Sequence, residues 1–363
     1  MLNVTHVVGA RPNFVKIAPV ISALNEAKED VNQVLVHTGQ HYDQNMSGIF
    51  FKDLNLNQAD EYLGIGPGTH AEQTSSVMLG CERMFEKYQP DLVVVVGDVN
   101  STLAAALTAA KMQIKSAHVE SGLRSYDRSM PEEHNRVITD HLSDILFTPS
   151  ADASRNLHQE GIEKHRIHFV GNVMIDSLIN QLPYRPELND FKMPALRGLQ
   201  KNKYALLTLH RPSNVDNPSV LSKICRELKF LYDEMPIVFP AHPRTRIQLK
   251  NIDAQHLTIC EPLGYREFLS LESHARLVIT DSGGIQEETT FLGIPCITVR
   301  KNTERPITIT EGTNVLSDPE NLSGLIRNIL SNNDSGKTNA LKYWDGKAAT
   351  RIAEIIVSRE WMN

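Results

Sequence analysis

The segment Asp91–Gly97, DLVVVVG, constrains the fold more than any other part of the chain. A strand with one face in water alternates apolar and polar side chains, whereas the unbroken run Leu92 to Val96 must be covered on both faces, as strands of a parallel sheet flanked by helices are. The surrounding sequence repeats that logic. Short β-branched runs at Asn3–Val8, Gln33–His37, Ser116–Val119, Ile145–Thr148 and Ile167–Val170 predict strands, and amphipathic stretches at Asn13–Ala27, Gln44–Leu54 and Ala71–Tyr88 predict helices between them. The same run bounds the chain in another way, because no purely apolar stretch is longer and it falls far short of the roughly 20 residues of a membrane span.

Between about Gln181 and Lys203 the periodicity lapses into a polar stretch with three prolines, the composition of an interdomain linker. A second α/β series follows, with strands predicted at Tyr204–Thr208, Ile237–Pro240, Leu257–Cys260, Leu277–Thr280 and Pro295–Val299 and helices near 220–234, 266–273, 285–292 and 319–330. The chain of 363 residues holds about two domains at a soft prior of roughly 150 residues each. The expected class is therefore α/β, two doubly wound, Rossmann-like parallel-sheet domains facing a cleft: residues 1–181, a linker at 182–203, and 204–363, whose last helix can cross back to the first domain.

Lys+Arg 37 against Asp+Glu 43 gives a net charge of −6, without the basic balance of nucleic-acid binders, so no nucleic-acid partner is expected and an anionic ligand must be met by a local site. Cys81, Cys225, Cys260 and Cys296 are scattered with no C-x-x-C pair, which fits buried thiols in a reducing compartment. The N-terminal residues lack a charged segment followed by a long apolar one, so the expected location is the cytoplasm, with no membrane partner. His37/His41 and His165/His168 have ligand-like spacing but no accompanying cysteine or carboxylate set, and no metal is expected. Neither G-x-G-x-x-G nor a P-loop occurs.

In doubly wound sheets ligands bind beyond the carboxyl ends of the strands, which makes strand ends a filter for functional residues. In the first domain it selects Arg11 and Lys16, Asp98, Glu120 with Arg124, and, in PEEHNR at the start of a helix, Glu132 and Arg136 on one face. In the second it selects His210 and Arg211, His242, the turn Asp281-Ser282-Gly283-Gly284, and Arg305. Small residues at a strand-to-helix turn let backbone N–H groups approach a phosphate, and Glu287 or Glu288 on the following helix could accept from ribose hydroxyls. A lone carboxylate after a strand is most often a cap or turn residue. The weight lies in the co-occurrence of carboxylates and cations, which reads as a nucleotide diphosphate held by the second domain with acid–base groups in the first.

The motifs GARPNFVKIAP (9–19), VVGD (95–98), HVESGLRS (118–125), MPEEHNR (130–136), HRPSN (210–214), TDSGGIQEE (280–288) and TERP (303–306) together resemble the non-hydrolysing UDP-N-acetylglucosamine 2-epimerases, two-domain enzymes of the glycosyltransferase-B-like fold. The resemblance runs from Gly9 to the C-terminal helix. It implies acid–base roles for Asp98, Glu120 and Glu132, a catalytic histidine beside the diphosphate at His210, and UDP-holding roles for Arg11, Lys16, Arg136, Ser282, Gly283, Glu288 and Arg305, with Gly284 completing the phosphate turn and His242 matching a further family histidine. The implied reaction inverts C2 of UDP-N-acetylglucosamine by elimination and re-addition of UDP through 2-acetamidoglucal, with no cofactor and in a homodimer. Asn13-Phe14, Val99-Asn100, Pro212-Ser213 and Thr69-His70 depart from the best-known branch, whereas Gln40-His41 matches its second-site pair. Three alternatives stay open: epimerisation of a modified sugar such as UDP-2,3-diacetamido-glucuronate, a hydrolysing epimerase releasing ManNAc and UDP, and a non-catalytic nucleotide-sugar sensor.

Overall fold

The computed structural model describes residues 1–27, 30–39, 54, 56, 58–331 and 341–362; His41, the pair Gln40-His41 and nearly all of the helix expected at 44–54 lie outside them. The chain forms two compact units, Met1–Asn180 with Lys342–Asn363, and Gln181–Leu341.

The first unit is built on a seven-stranded sheet with the order β3-β2-β1-β4-β5-β6-β7. Its strands are β1 (Leu2–Val8), β2 (Val31–His37), β3 (Glu61–Tyr62), β4 (Leu92–Val96), β5 (Lys115–Val119), β6 (Ile145–Thr148) and β7 (Ile167–Phe169), all paired in parallel. β4 lies at the centre between β1 and β5, and each residue from Leu92 to Val96 is 0% exposed. That burial is the reason for its uniform composition, since each fully buried valine or leucine contributes about 1.5–3 kcal/mol. Val93 and Val95 face a layer of small and aromatic side chains, Ala104, Ala105, Ala109, Cys81 and Phe85, from the helices Asn100–Lys111 and His70–Tyr88. The C-terminal helix Ala348–Ser358 packs on the helix Arg11–Glu26 of this unit, and Asp176 accepts from the N–H groups of Ala348 (3.2 Å) and Ala349 (2.7 Å), capping its start.

The second unit carries a six-stranded parallel sheet, β10-β9-β8-β11-β12-β13. The strands are β8 (Ala205–Thr208), β9 (Ile237–Pro240), β10 (Leu257–Cys260), β11 (Leu277–Thr280), β12 (Cys296–Val299) and β13 (Asn314–Ser317). Along β8 the two-residue period sorts the side chains: Ala205 and Leu207 enter the cluster holding Leu221, Ile224 and Phe239, while Tyr204 and Leu206 enter the one on the opposite face with Val238, Leu271 and Val278.

Residues 182–203 belong to this unit and are packed, not a free connection. Three short 3₁₀ turns, Leu182–Tyr184, Leu188–Asp190 and Pro194–Leu196, turn Leu188, Phe191 and Leu196 into the second cluster. Pro183 and Pro194 sit at the starts of such turns, where a missing N–H costs nothing. Two edge strands do not show in the sequence: β3 is two residues long, and β13 (NVLS) holds only two apolar residues between polar ends. All four cysteines are buried free thiols, and burial pushes Cys81 up to about 12 and Cys225 to about 11. Among the described residues no helix is long and apolar enough to cross a membrane.

Candidate active site

Each sheet reverses its winding once, between β1 and β4 in the first unit and between β8 and β11 in the second. At such a point the two following loops diverge to opposite faces and leave a crevice. The selected residues concentrate there.

In the first unit β1 runs into Gly9-Ala10 and the helix that opens with Arg11, and β4 runs into Gly97-Asp98. Asn13 ties the two loops together, accepting from the N–H of Ala10 (2.9 Å) and donating to the carbonyl of Val96 (3.0 Å). Lys16, one turn further along, forms a buried ion pair with Glu120 at the end of β5. Glu120 has φ +70°, a left-handed conformation that side chains with a Cβ adopt rarely. A Cβ built on Gly97 would stand 3.2 Å from the Asn13 amide nitrogen, 3.3 Å from Lys16 Nζ and 3.5 Å from Glu120 Oε2, so the three groups converge over that glycine.

Asp98 is paired with Arg136, whose other guanidinium nitrogen binds Glu133. Arg136 is buried, with 3% of its side chain exposed, while 29% of the Asp98 side chain is open. Glu133, not Glu132, is therefore the carboxylate of the helix Pro131–Leu142 that faces Arg136; it also accepts from Ser125 N (3.0 Å), Ser125 Oγ (2.8 Å) and Tyr126 N (2.8 Å). Glu132 stands half-buried in the first turn of the same helix. Arg124, selected beside Glu120, is a structural cation: it is buried on Asp140 (2.6 Å) and on both oxygens of Glu160 (2.7 Å each). Burial alone would raise the Asp140 carboxyl, but His118 and Arg124 hold it below the usual range. His118 donates through Nε2 to the Gly97 carbonyl at 2.8 Å and meets Asp140 through Nδ1 at 2.7 Å, so this buried cluster braces the turn that carries Asp98.

In the second unit the switch point is organised by Asp281, which follows β11 and is 0% exposed. It accepts from His210 N (3.1 Å), Arg211 N (3.0 Å) and Asn214 Nδ2 (3.0 Å), and its Oδ1 lies 2.8 Å from His210 Nδ1. Burial works to raise this carboxyl, and the His210 contact with the Asn214 and Arg211 donors overcomes it and lowers it. The His210 ring, held through Nδ1, is 58% exposed and presents Nε2 outward. His242 caps the helix Pro243–Leu249 just past β9, accepting from Arg244 N at 3.4 Å.

Ser282 is the N-cap of the helix Gly283–Leu292, whose first-turn N–H groups include those of Gly283 and Gly284 and have no intrahelical acceptors. A Cβ on Gly283 would collide with the Arg305 guanidinium, so glycine there lets Arg305 close over the turn. Arg305 is itself buried against Glu287 (3.0 Å) and Glu304. Glu288 is buried and accepts from Tyr265 Oη at 2.7 Å. The strand-end filter does not reach Asn13, Glu133, Asn214 and Tyr265, whose partners Val96, Ser125, Asp281 and Glu288 are set by tertiary packing.

The family model for UDP-N-acetylglucosamine 2-epimerase matches residues 23–357. A UDP-N-acetylglucosamine 2-epimerase of Methanococcus maripaludis is 43% identical over 98% of both chains, and a UDP-2,3-diacetamido-2,3-dideoxy-D-glucuronate 2-epimerase of Pseudomonas aeruginosa is 38% identical over 98% of this chain and 99% of its own. The crystal structure of Methanocaldococcus jannaschii UDP-GlcNAc 2-epimerase in complex with UDP-GlcNAc and UDP superposes with a TM-score of 0.88 at 41% identity, covering 98% of this chain and 100% of that one. The two doubly wound sheets are those of the glycosyltransferase-B-like class. The chain belongs to the UDP-N-acetylglucosamine 2-epimerase family.

Proposed function

We propose that the protein inverts C2 of UDP-N-acetylglucosamine to give UDP-N-acetylmannosamine, by elimination and re-addition of UDP. The C2 proton passes to a carboxylate, the C1–O bond breaks with its electron pair leaving on UDP, and 2-acetamidoglucal stays bound. A proton then returns to C2 on the opposite face and UDP re-adds at C1. Asp98, Glu120 and Glu132 are the acid–base groups. Ser282, Gly283, Gly284, Arg305 and His210 hold the diphosphate, Glu288 the ribose, with Arg11, Lys16, Arg136 and His242 as further binding groups. The observation that carries this reading is the pairing at the first switch point, where Asp98 and Glu120 each rest on a buried cation. A cation beside a carboxylate keeps it ionised as a base and also stabilises negative charge developing on a departing phosphate. The 43% identity of the Methanococcus relative, against 38% for the diacetamido-glucuronate enzyme at equal coverage, favours the unmodified sugar.

Incubation with UDP-GlcNAc in D₂O, followed by NMR, tests it. The expected product is UDP-ManNAc carrying deuterium at C2. Retained hydrogen at C2 would exclude proton transfer through exchangeable side chains, and ManNAc with free UDP as the first products would make the enzyme a hydrolysing one.

A further inference from the structure

The second unit buries two carboxyl groups side by side. Glu288, on the helix Gly283–Leu292, accepts one hydrogen bond from Tyr265 Oη at 2.7 Å. Glu272 lies seven residues beyond Tyr265 on the helix Tyr265–His274, hence on the same face, and its carboxyl meets that of Glu288. Glu272 is 0% exposed, and among the described residues neither of its oxygens has an N–H or O–H donor. Among the described residues the other titratable groups facing the two are Glu287 from the Glu288 helix, Tyr204 ahead of β8 and Cys296 on β12, and the cation beside them, Arg305, is paired with Glu287 and Glu304. Two adjacent carboxylates cannot both stay ionised in such surroundings, and the one arrangement that satisfies them is a proton on one oxygen, donated to the other carboxyl.

We propose that Glu272 and Glu288 share one proton, and that this proton makes recognition of a ribose diol by Glu288 pH-dependent, with Glu272 as the positioning residue. The inference rests on the reading of Glu288 as the ribose ligand. Ionised Glu288, braced by the Glu272 proton and the Tyr265 hydroxyl, offers its free lone pairs to two vicinal hydroxyls. A second proton removes that acceptor, and loss of the shared proton sets two negative charges against each other and drives Glu288 out of place. Burial, working against the Tyr265 and Glu272 hydrogen bonds, pushes Glu288 up to about 7, and burial with the neighbouring Glu288 charge puts Glu272 well above the usual carboxyl range. Uptake of the second proton by Glu288 thus falls within an accessible pH window, with loss of the shared proton on its alkaline side.

The test is calorimetric titration of the whole protein with UDP and with 2′,3′-dideoxyuridine diphosphate from pH 5.5 to 8.5. Taking the ratio of the two affinities cancels ionisation of the phosphates. In the wild type the preference for UDP should pass through a maximum and fall on the alkaline side by up to about tenfold per pH unit. In Glu272→Gln, whose amide still donates but cannot ionise, the alkaline fall should vanish. A wild-type ratio that favours UDP equally at every pH overturns the proposal without any variant, as does an alkaline fall that survives in Glu272→Gln. Equal binding of both nucleotides at every pH overturns the ribose reading instead. The shared proton is then judged by thermal unfolding alone: alkaline destabilisation present in the wild type and absent in Glu272→Gln supports it, and identical profiles refute it.

Discussion

Each switch point pairs a buried side chain with an open one, and the two do so in opposite senses. In the first unit the cation is buried and the acid is open: Arg136 is 3% exposed and Asp98 29%. In the second the acid is buried and its partner is open: Asp281 is 0% exposed and His210 58%. In each pair the buried member is fixed from further sides, Arg136 by Glu133 and Asp281 by Asn214 and two backbone N–H groups, and so acts as a rigid support. The open member is left to meet what comes from outside. The first unit thereby presents a carboxylate suited to moving a proton, and the second an imidazole suited to an anion. Lys16–Glu120 follows neither pattern, since both side chains are buried, and a proton-transfer role for Glu120 requires the substrate to draw Lys16 away from it.

The largest expected effect breaks this symmetry by removing one acid at a time. Asp98→Asn should lower turnover by on the order of a hundredfold or more with little change in stability, because its side chain is already partly in water. Asp281→Asn should lower turnover too, through a displaced His210, but also destabilise the protein by about 2 kcal/mol, since several donors lose a buried charge. Kinetics with thermal melts of both variants decides. An Asp98→Asn protein that stays fully active, or an Asp281→Asn protein as stable as the wild type, would remove the contrast between presenting and supporting acids.

Next in size is an opposition in pH dependence. His6, buried at 0% exposure on β1 with Nε2 against Gln33 at 2.8 Å, is driven by burial down to about 4. Its neutral ring is the native form, so its contribution to stability is present above pH 6.5 and is lost as pH falls toward 4. Glu288 moves the other way: raised by burial to about 7, it contributes below the ordinary carboxyl range and loses that contribution as pH rises through 7. Each slope is at most about 1.4 kcal/mol per pH unit. Hydrogen exchange, corrected for its intrinsic pH dependence, should show β1 weakening as pH falls from about 6 to 4, while the helix Tyr265–His274 weakens as pH rises from about 5 to 7. Parallel profiles for the two segments would refute the opposition.

What was legible from sequence follows the same division. Strand ends could be read because a strand buried on both faces announces itself by composition, and Asp98, Glu120, His210 and the Asp281 turn sit at such ends. Residues acting from helices were legible only where a motif marks the opening of the helix, as at Lys16, Arg136 and Glu288. Glu132 and Glu133 are adjacent, and which one faces Arg136 depends on where Ser125 and Tyr126 dock, a tertiary matter. Arg124 passed the filter although its partners, Asp140 and Glu160, lie 16 and 36 residues downstream. In 182–203 the buried Leu188, Phe191 and Leu196 follow neither period, and the prolines masked a packed strap as a linker.

The smallest effect compares the two glycines under these sites. Gly97 has φ +71°, so Gly97→Ala strains the backbone by about 1 kcal/mol, and its new methyl presses on the movable ends of Asn13 and Lys16. It should lower stability by about that amount and turnover several-fold, with a smaller loss of UDP affinity than Gly283→Ala. Gly283 opens a right-handed helix, where alanine is favoured over glycine by about 0.5–1 kcal/mol, but its methyl would strike the Arg305 guanidinium. Gly283→Ala should therefore keep the wild-type melting temperature while weakening UDP binding, because Arg305 must swing off the phosphate turn. If Gly283→Ala binds UDP normally, Arg305 does not close over that turn, and the guanidinium serves only Glu287 and Glu304.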